Sequence, residues 1–220
     1  MICIAIDGPA GSGKSSVSKL VAKNLGFTSI DTGALYRAVA YYFKSNEISE
    51  ENIKSALKNI DLKAKNIDGK FNVFLNGENV TYKIRAEEIS KMTSKISKRP
   101  EVRDFLLEFQ RNLAKSENCV MDGRDIGTVV FPHAELKIFV TASAEVRAQR
   151  RYDELTAKGE KCNYEEILEN VKERDHIDST RETSPLRQAE DAIVLDNTHM
   201  TIPEQENWLM EEYKKRTEEE

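Results

Sequence analysis

The chain is poor in the residues that build covalent or metal-held scaffolds. Its 220 residues include only three cysteines and three histidines. Cys3, Cys119 and Cys162 are odd in number and none is paired at metal-finger spacing, which excludes a disulfide framework or a zinc module. Cys3 and Cys119 fall in apolar runs, where a free thiol behaves as a small hydrophobe. His133, His176 and His199 share no ligand-like spacing and are read as non-catalytic. No apolar run approaches the ~18 residues of a membrane span, so no membrane partner is expected. No secretory signal pattern precedes the first apolar run, and a cytoplasmic location is expected. The net charge of −5 gives no general attraction to nucleic acid. There is no internal repeat, and no biased segment beyond the acidic tail at 218–220. With 39% hydrophobic and 32% charged residues the chain has the composition of an ordered globular domain.

What is present begins at residue 8. Gly8, Pro9, Ala10, Gly11, Ser12, Gly13, Lys14, Ser15 and Ser16 spell G-x-x-x-x-G-K-S. Glycines at this spacing let backbone N–H groups turn inward around a phosphate. Lys14 then reaches the β- and γ-phosphates, and the Ser15 hydroxyl is placed to ligate Mg²⁺. The flanks suit the motif: Ile2–Ile6 reads as a buried parallel strand. Val17, Leu20, Val21 and Leu25 follow at helical spacing, with Gly26 as the stop.

Along the chain, 27–30 reads as a second strand ending at Asp31. Ala34, Leu35, Ala38, Val39, Tyr42 and Phe43 outline an amphipathic helix with Tyr36 and Arg37 in its first turn. There a cation opposes the helix dipole unless an anion compensates it. Residues 49–59 read as a short helix capped by Ser49. The period then changes to two, with Asp68-Gly69 and Asn76-Gly77 as hairpin signals, which predicts an antiparallel insert over about 61–86. Helices are expected over 86–96 and from Pro100, the second carrying Arg103 and Arg111. Arg111 is read as a solvated surface arginine. Strands follow at 119–122, 136–140 and 192–196. Helices are expected over 144–155, from Tyr164 to about His176, and over 202–215, where Trp208 and Leu209 act as packing anchors. Five short apolar strands alternating with helices make a doubly wound parallel sheet. Ligands bind such sheets at the carboxyl ends of the strands, where the glycine loop, Asp31 and Asp122 all stand. Asp122 reads as a carboxylate near the Mg²⁺.

Arginines cluster at the same ends: Arg37, Arg124, Arg150, Arg174 and Arg181. Guanidinium groups suit phosphate oxygens, and phosphoryl transfer between anionic substrates depends on such charge. An N-K-x-D guanine-reading pattern is absent, and no D-x-x-G follows a strand. Both absences exclude a GTP-driven switch.

The segments IDGPAGSGKSS, DTGALYRA, PEVR, MDGRDIGTVVFP, LKIFVTAS, ERDHIDSTRETSPL and AIVLDNT resemble those of bacterial cytidylate kinases over nearly the whole chain. The resemblance implies one domain over 1–220 with the three-layer α/β fold of P-loop kinases. It implies a five-stranded parallel sheet of order 2-3-1-4-5, a monophosphate-binding β insert near 61–86 and a short lid near 147–163. It implies transfer of the ATP γ-phosphate to CMP or dCMP, with Mg²⁺. A monomer is expected. By the same resemblance Thr32, Tyr36 and Arg37 line the acceptor site, and Arg37, Arg124, Arg174 and Arg181 meet phosphate. Ser94, Arg103 and Asp125 read cytosine, Asp178 takes the ribose hydroxyls, and Arg150 touches ATP. The base chemistry agrees, since a carboxylate accepts from the N4 amine of cytosine and repels the O4 acceptor of uracil. No role falls to His176.

Overall fold

The computed structural model describes residues 1–115 and 117–218; Ser116 and the last two residues of the acidic tail lie outside them. Strand β1 (Cys3–Asp7) is buried at every position. It has a parallel neighbour on each side and apolar side chains on both faces, as a central strand requires. Helix α1 (Lys14–Leu25) starts at the left-handed Gly13 and stops at the left-handed Gly26, whose N–H returns to the last turn. Strand β2 (Thr28–Asp31) leads directly into α2 (Thr32–Ser45), because the Asp31 side chain caps α2 by accepting from Ala34 N at 3.0 Å. That cap starts the helix earlier than the hydrophobic pattern does. Arg37 therefore stands in the second turn rather than the first, and its compensating anion is Asp31 at 3.1 Å.

The helix expected over 49–59 is shorter. A 3₁₀ turn at Glu50–Asn52 runs into α3 (Ile53–Leu57). Ser49 does not cap it, since its hydroxyl accepts from Asn52 Nδ2 at 3.0 Å. The insert consists of β3 (Leu62–Ile67), β4 (Lys70–Leu75) and β5 (Glu78–Asn79). Asp68, Gly69, Asn76 and Gly77 have φ of 51°, 71°, 49° and 85°, the signature of tight hairpin turns. Helices α4 (Glu87–Ile96) and α5 (Pro100–Leu113) follow. Strand β6 (Cys119–Gly123) ends in a wide turn over Ile126–Val130. The chain continues through β7 (Leu136–Thr141), α6 (Ala144–Ala157), α7 (Tyr164–Thr180), β8 (Ile193–Asp196) and α8 (Ile202–Glu218). Helix α7 runs past His176 to Thr180, so Arg174 and Asp178 sit on its last turns and Arg181 just beyond.

The main sheet runs β2-β6-β1-β7-β8, all parallel, and the insert forms a second sheet β3-β4-β5. The insert takes three of the strand numbers. Counted among the parallel strands alone, the order is 2-3-1-4-5. One core joins β2 and β6 to α2, α4, α5 and the apolar face of the insert, with Phe43, Val73, Ile84 and Leu106 fully enclosed. The other packs α1 and α8 on β1 and β7, with Leu209 enclosed and Trp208 half-buried at its edge. The register sets Asp31 against Asp122 and Asp7 against Gly123, which brings three carboxylates to one rim of the sheet. The thiols of Cys3 and Cys119 are free and buried as neighbours on β1 and β6. No helix among the described residues is long and apolar enough to cross a membrane.

Candidate active site

The glycine loop begins hard against the sheet. A Cβ at Gly8 would lie 2.1 Å from the Val140 carbonyl oxygen, so only glycine lets the backbone turn there. Lys14, first residue of α1, is buried, and its Nζ folds back to donate to Pro9 O at 3.0 Å. Burial, with the Arg124 charge nearby, lowers its pKa to about 7. Ser15 Oγ donates to Asp122 Oδ2 at 2.6 Å. Burial and the adjacent Asp31 push Asp122 up to about 6. Thr32 is buried and donates its hydroxyl to Asp122 O at 2.8 Å, tying the start of α2 to the end of β6.

On the far side of the loop, Arg150 of α6 donates to Asn197 O at 2.9 Å and Asn197 Oδ1 at 3.1 Å. The buried Asn197 donates in turn to Ser12 O at 2.6 Å and Gln205 Oε1 at 2.7 Å. Gly11, Gly13, Lys14, Arg150, Met200 and Gln205 are among the residues lining a cavity of about 480 Å³ beside the loop, a nucleotide-sized space. Arg147 forms a two-pronged pair with Asp175 of α7, at 2.9 and 2.5 Å, and also donates to Ala10 O at 3.1 Å. It therefore ties α6, α7 and the glycine loop together. Sequence reasoning placed Arg147 on a helix without assigning it, and it missed Asn197. Asn197 lies in the segment AIVLDNT, but nothing in that segment points to its contacts with Ser12 O and Arg150, and nothing beside Arg147 points to Ala10 or Asp175.

The expected acceptor residues converge on the other side of Lys14. Arg124 Nε donates to Asp178 Oδ2 at 2.8 Å, and Arg181 approaches Asp178 Oδ1 at 3.5 Å. Arg37 and Arg85 share Asp31 Oδ2, at 3.1 and 3.2 Å. Burial tends to raise Asp31, but these two guanidinium groups hold its carboxyl below the ordinary range. Arg85 comes from the insert and was not anticipated. This end of the insert is thus tied to the main sheet. Arg174 is half-buried, and burial together with Arg124 and Arg37 draws its pKa down, which places it among the same cations. Arg103 and Asp125 form a buried ion pair, and the Arg103 guanidinium lies 5.4 Å from the centre of the buried Tyr36 ring.

The Ser94 hydroxyl donates back along α4 to Ser90 O at 3.3 Å, with no direct hydrogen bond to Arg103 or Asp125 among the described residues. Its link to them runs through Ser97, whose carbonyl accepts from Arg103 at 3.1 Å and whose hydroxyl donates to Ser94 O at 3.3 Å. Arg111 is not a freely solvated arginine, because it donates to Val130 O at 3.1 Å and Val129 O at 3.0 Å. His133, His176 and His199 are exposed, and no group of three potential metal ligands occurs among the described residues.

Comparison with known proteins adds an independent line. A cytidylate kinase from Parabacteroides distasonis is 54% identical over 222 residues, covering 97% of both chains. One from Caldicellulosiruptor bescii is 53% identical over 206 residues, covering 92% of this chain and 91% of its own. A crystal structure of shikimate kinase from Bacteroides thetaiotaomicron superposes with a TM-score of 0.50 at 12% identity over 97% of this chain and 98% of its own, a likeness of fold alone. The sequence pattern that defines cytidylate kinases matches residues 4–215. With that match spanning the glycine loop, the insert and the arginine cluster alike, the chain belongs to the cytidylate kinase family.

Proposed function

We propose that the protein transfers the γ-phosphate of ATP to CMP or dCMP, giving CDP or dCDP and ADP. One observation carries the reading to this site. Arg37 Nε, Arg103 Nε and Arg181 Nη2 are buried N–H donors without a hydrogen-bond partner among the described residues. Buried donors are costly to leave unmade. Three of them around Arg124, Asp125 and Asp178 suit a ligand that brings phosphate and carbonyl oxygens.

In this reading the loop amides from Gly8 to Ser16 and Lys14 cradle the ATP phosphates, with Arg150 over the same cavity. Arg37, Arg124, Arg174 and Arg181 take the acceptor phosphate and the charge that develops on the transferred group. Thr32 and Tyr36 wall the acceptor site, and Asp178 faces the ribose. Arg103 donates to the O2/N3 side of cytosine and Asp125 accepts from its N4 amine. Ser94 stands with them on the cytosine side, where Ser97 links its backbone to Arg103. The 61–86 insert carries Arg85 to the acceptor side, and the 147–163 lid carries Arg150 to the donor side. We take the acting form to be a monomer. We place the reaction in the cytoplasm, in keeping with three free cysteines.

The residues present fit Mg²⁺. Ser15 and Asp122 offer two hard oxygens 2.6 Å apart, and the Asp31 carboxylate behind them makes the spot favourable for a cation. A site with so few protein ligands suits an ion that draws its other oxygens from water and phosphate. When bound, Mg²⁺ neutralises phosphate charge and orients it.

Initial rates with CMP, dCMP, UMP, AMP and shikimate test the proposal. CMP or dCMP should be preferred by at least ~10²-fold in kcat/KM, as expected of a site that hydrogen-bonds the base. Preference for any other acceptor overturns it. A second test concerns protons. With its pKa lowered to about 7, Lys14 is largely uncharged at pH 8 in the free protein and charged against phosphates. ATP binding should then take up protons at pH 8 and fewer at pH 6. Calorimetry in two buffers of different ionisation enthalpy measures this, and no uptake at pH 8 contradicts the assigned contact.

A further inference from the structure

The wide turn at Ile126–Val130 directly follows Asp125, and its ends are closed by side chains from elsewhere in the chain. Inside the turn Val130 N donates to Asp125 O at 3.1 Å and Phe131 N to Ile126 O at 2.7 Å. Such i→i+5 pairing is rare and recurs at functional sites. The first amides of a turn have no partner within it. Here Ile126 N and Gly127 N donate to the two carboxylate oxygens of Asp7, at 2.8 and 2.7 Å. The last carbonyls, Val129 O and Val130 O, accept from Arg111 at 3.0 and 3.1 Å. Gly127 leaves room for this approach, since a Cβ there would lie 3.4 Å from Asp7 Oδ2 and 3.1 Å from Lys137 Cδ.

The two anchors come from the elements that matter most to Asp125. Asp7 ends β1 immediately before the glycine loop. Arg111 lies two turns beyond Arg103 on α5, the helix that supplies the ion-pair partner of Asp125. Asp7 is buried to 5% exposure, an expensive place for a carboxylate whose side-chain hydrogen bonds among the described residues all go to this turn.

We propose that Asp7 and Arg111 are positioning residues that clamp the 126–130 turn at both ends and so fix the carboxylate of Asp125 against the acceptor base. The inference rests on the reading of Asp125 as the group that meets cytosine N4. Neither residue touches substrate. Their effect passes through the backbone into the direction of one side chain, so base selectivity should suffer before ATP use does.

The test uses Asp7→Asn and Arg111→Gln, with CMP and UMP as acceptors. An asparagine accepts from one amide and turns a donor toward the other. The CMP/UMP ratio of kcat/KM should fall about 10-fold in Asp7→Asn, the scale of removing one charge-assisted hydrogen bond. It should fall about 3-fold in Arg111→Gln, the scale of releasing one neutral carbonyl. KM for ATP should stay within ~2-fold, as expected when the donor site is unaltered. Arg111→Lys, which keeps the charge and one donor, should recover part of the ratio. Equal losses on CMP and UMP, or a rise in KM for ATP matching that for CMP, overturn the proposal. Should Asp7→Asn fail to fold, the half-exposed Arg111 decides alone, because its replacement leaves no buried charge behind. A wild-type enzyme that does not prefer CMP defeats the function proposed above. A wild type that prefers CMP, with variants that keep that preference intact, defeats only the clamp.

Discussion

Replacing Lys14 with methionine is expected to lower kcat by roughly 10³-fold while leaving the fold as stable as before. The two halves of this expectation have one origin. Lys14 sits at the start of α1, enclosed by the glycine loop, and makes one hydrogen bond through its ammonium, to Pro9 O at 3.0 Å. Burial drives its pKa down to about 7, so the folded protein gains little from the charge and bears much of its desolvation. Methionine fills similar volume without a charge, and swapping a buried ion for an apolar side chain is often neutral or stabilising. The loop keeps its shape, because Gly8 and Gly13 set it and Asn197 and Arg147 hold its carbonyls. With nucleotide present the balance reverses, since the ammonium then faces phosphate oxygens and no other side chain replaces it. Thermal unfolding and steady-state rates on one preparation check both parts. A variant retaining more than a tenth of wild-type kcat removes Lys14 from the mechanism, and a large fall in Tm shows that its role is structural.

The same contrast explains what was legible in the sequence. Local rules were enough for the glycine loop, for the Asp68-Gly69 and Asn76-Gly77 hairpins and for Pro100 at the start of α5, because each is a demand on backbone angles made by neighbouring residues. The five parallel strands showed as apolar runs for a similar reason. Misplaced features answer to particular partners. Helix α2 begins at Thr32 because Asp31 caps it. Ser49 fails to cap because Asn52 occupies its hydroxyl. Arg111 looked solvated because its acceptors, Val129 O and Val130 O, are backbone atoms 18 and 19 residues away. Arg85 was passed over since nothing near it in the chain hints at Asp31, 54 residues distant. Residue type and strand-end position identified the cluster of arginines, but which carboxylate each one meets, Asp31 at a strand end, Asp125 in the turn after β6 or Asp178 on α7, is decided by tertiary packing.

Those pairs make Asp178 the residue whose replacement should be felt most widely on the acceptor side. Its two oxygens meet Arg124 at 2.8 Å and Arg181 at 3.5 Å, and Arg174 stands close by in the same field. Burial works against ionisation there, but Arg124 above all, then Arg181 and Arg174, hold the Asp178 carboxyl below its usual range. Asp178→Asn keeps the shape and removes the charge. Arg124 and Arg181 are then left without their shared counter-ion, and removing one partner of a buried pair costs about 3 kcal/mol. The lowered folded-state pKa fixes the sign with pH. This stabilisation is complete above the ordinary aspartate value of 3.8 and is lost as pH falls below it, so the wild-type advantage should be full at neutral pH and shrink in acid. Activity should follow the same geometry. With its arginines no longer held in place, kcat/KM for CMP is expected to drop about 10²-fold, the scale of removing one electrostatic donor from the transferring group. KM for ATP, assigned in the proposal to the glycine loop and Arg150, should change less than ~3-fold. Inorganic phosphate offers the stranded guanidinium groups a substitute anion, so it should raise the Tm of Asp178→Asn more than that of the wild type. Denaturant unfolding from pH 3 to pH 8 measures the stability difference, thermal unfolding with and without phosphate measures the rescue, and steady-state rates measure the rest. A variant as stable as the wild type at neutral pH, with CMP and ATP kinetics equally affected, would show that Asp178 does not organise the acceptor arginines.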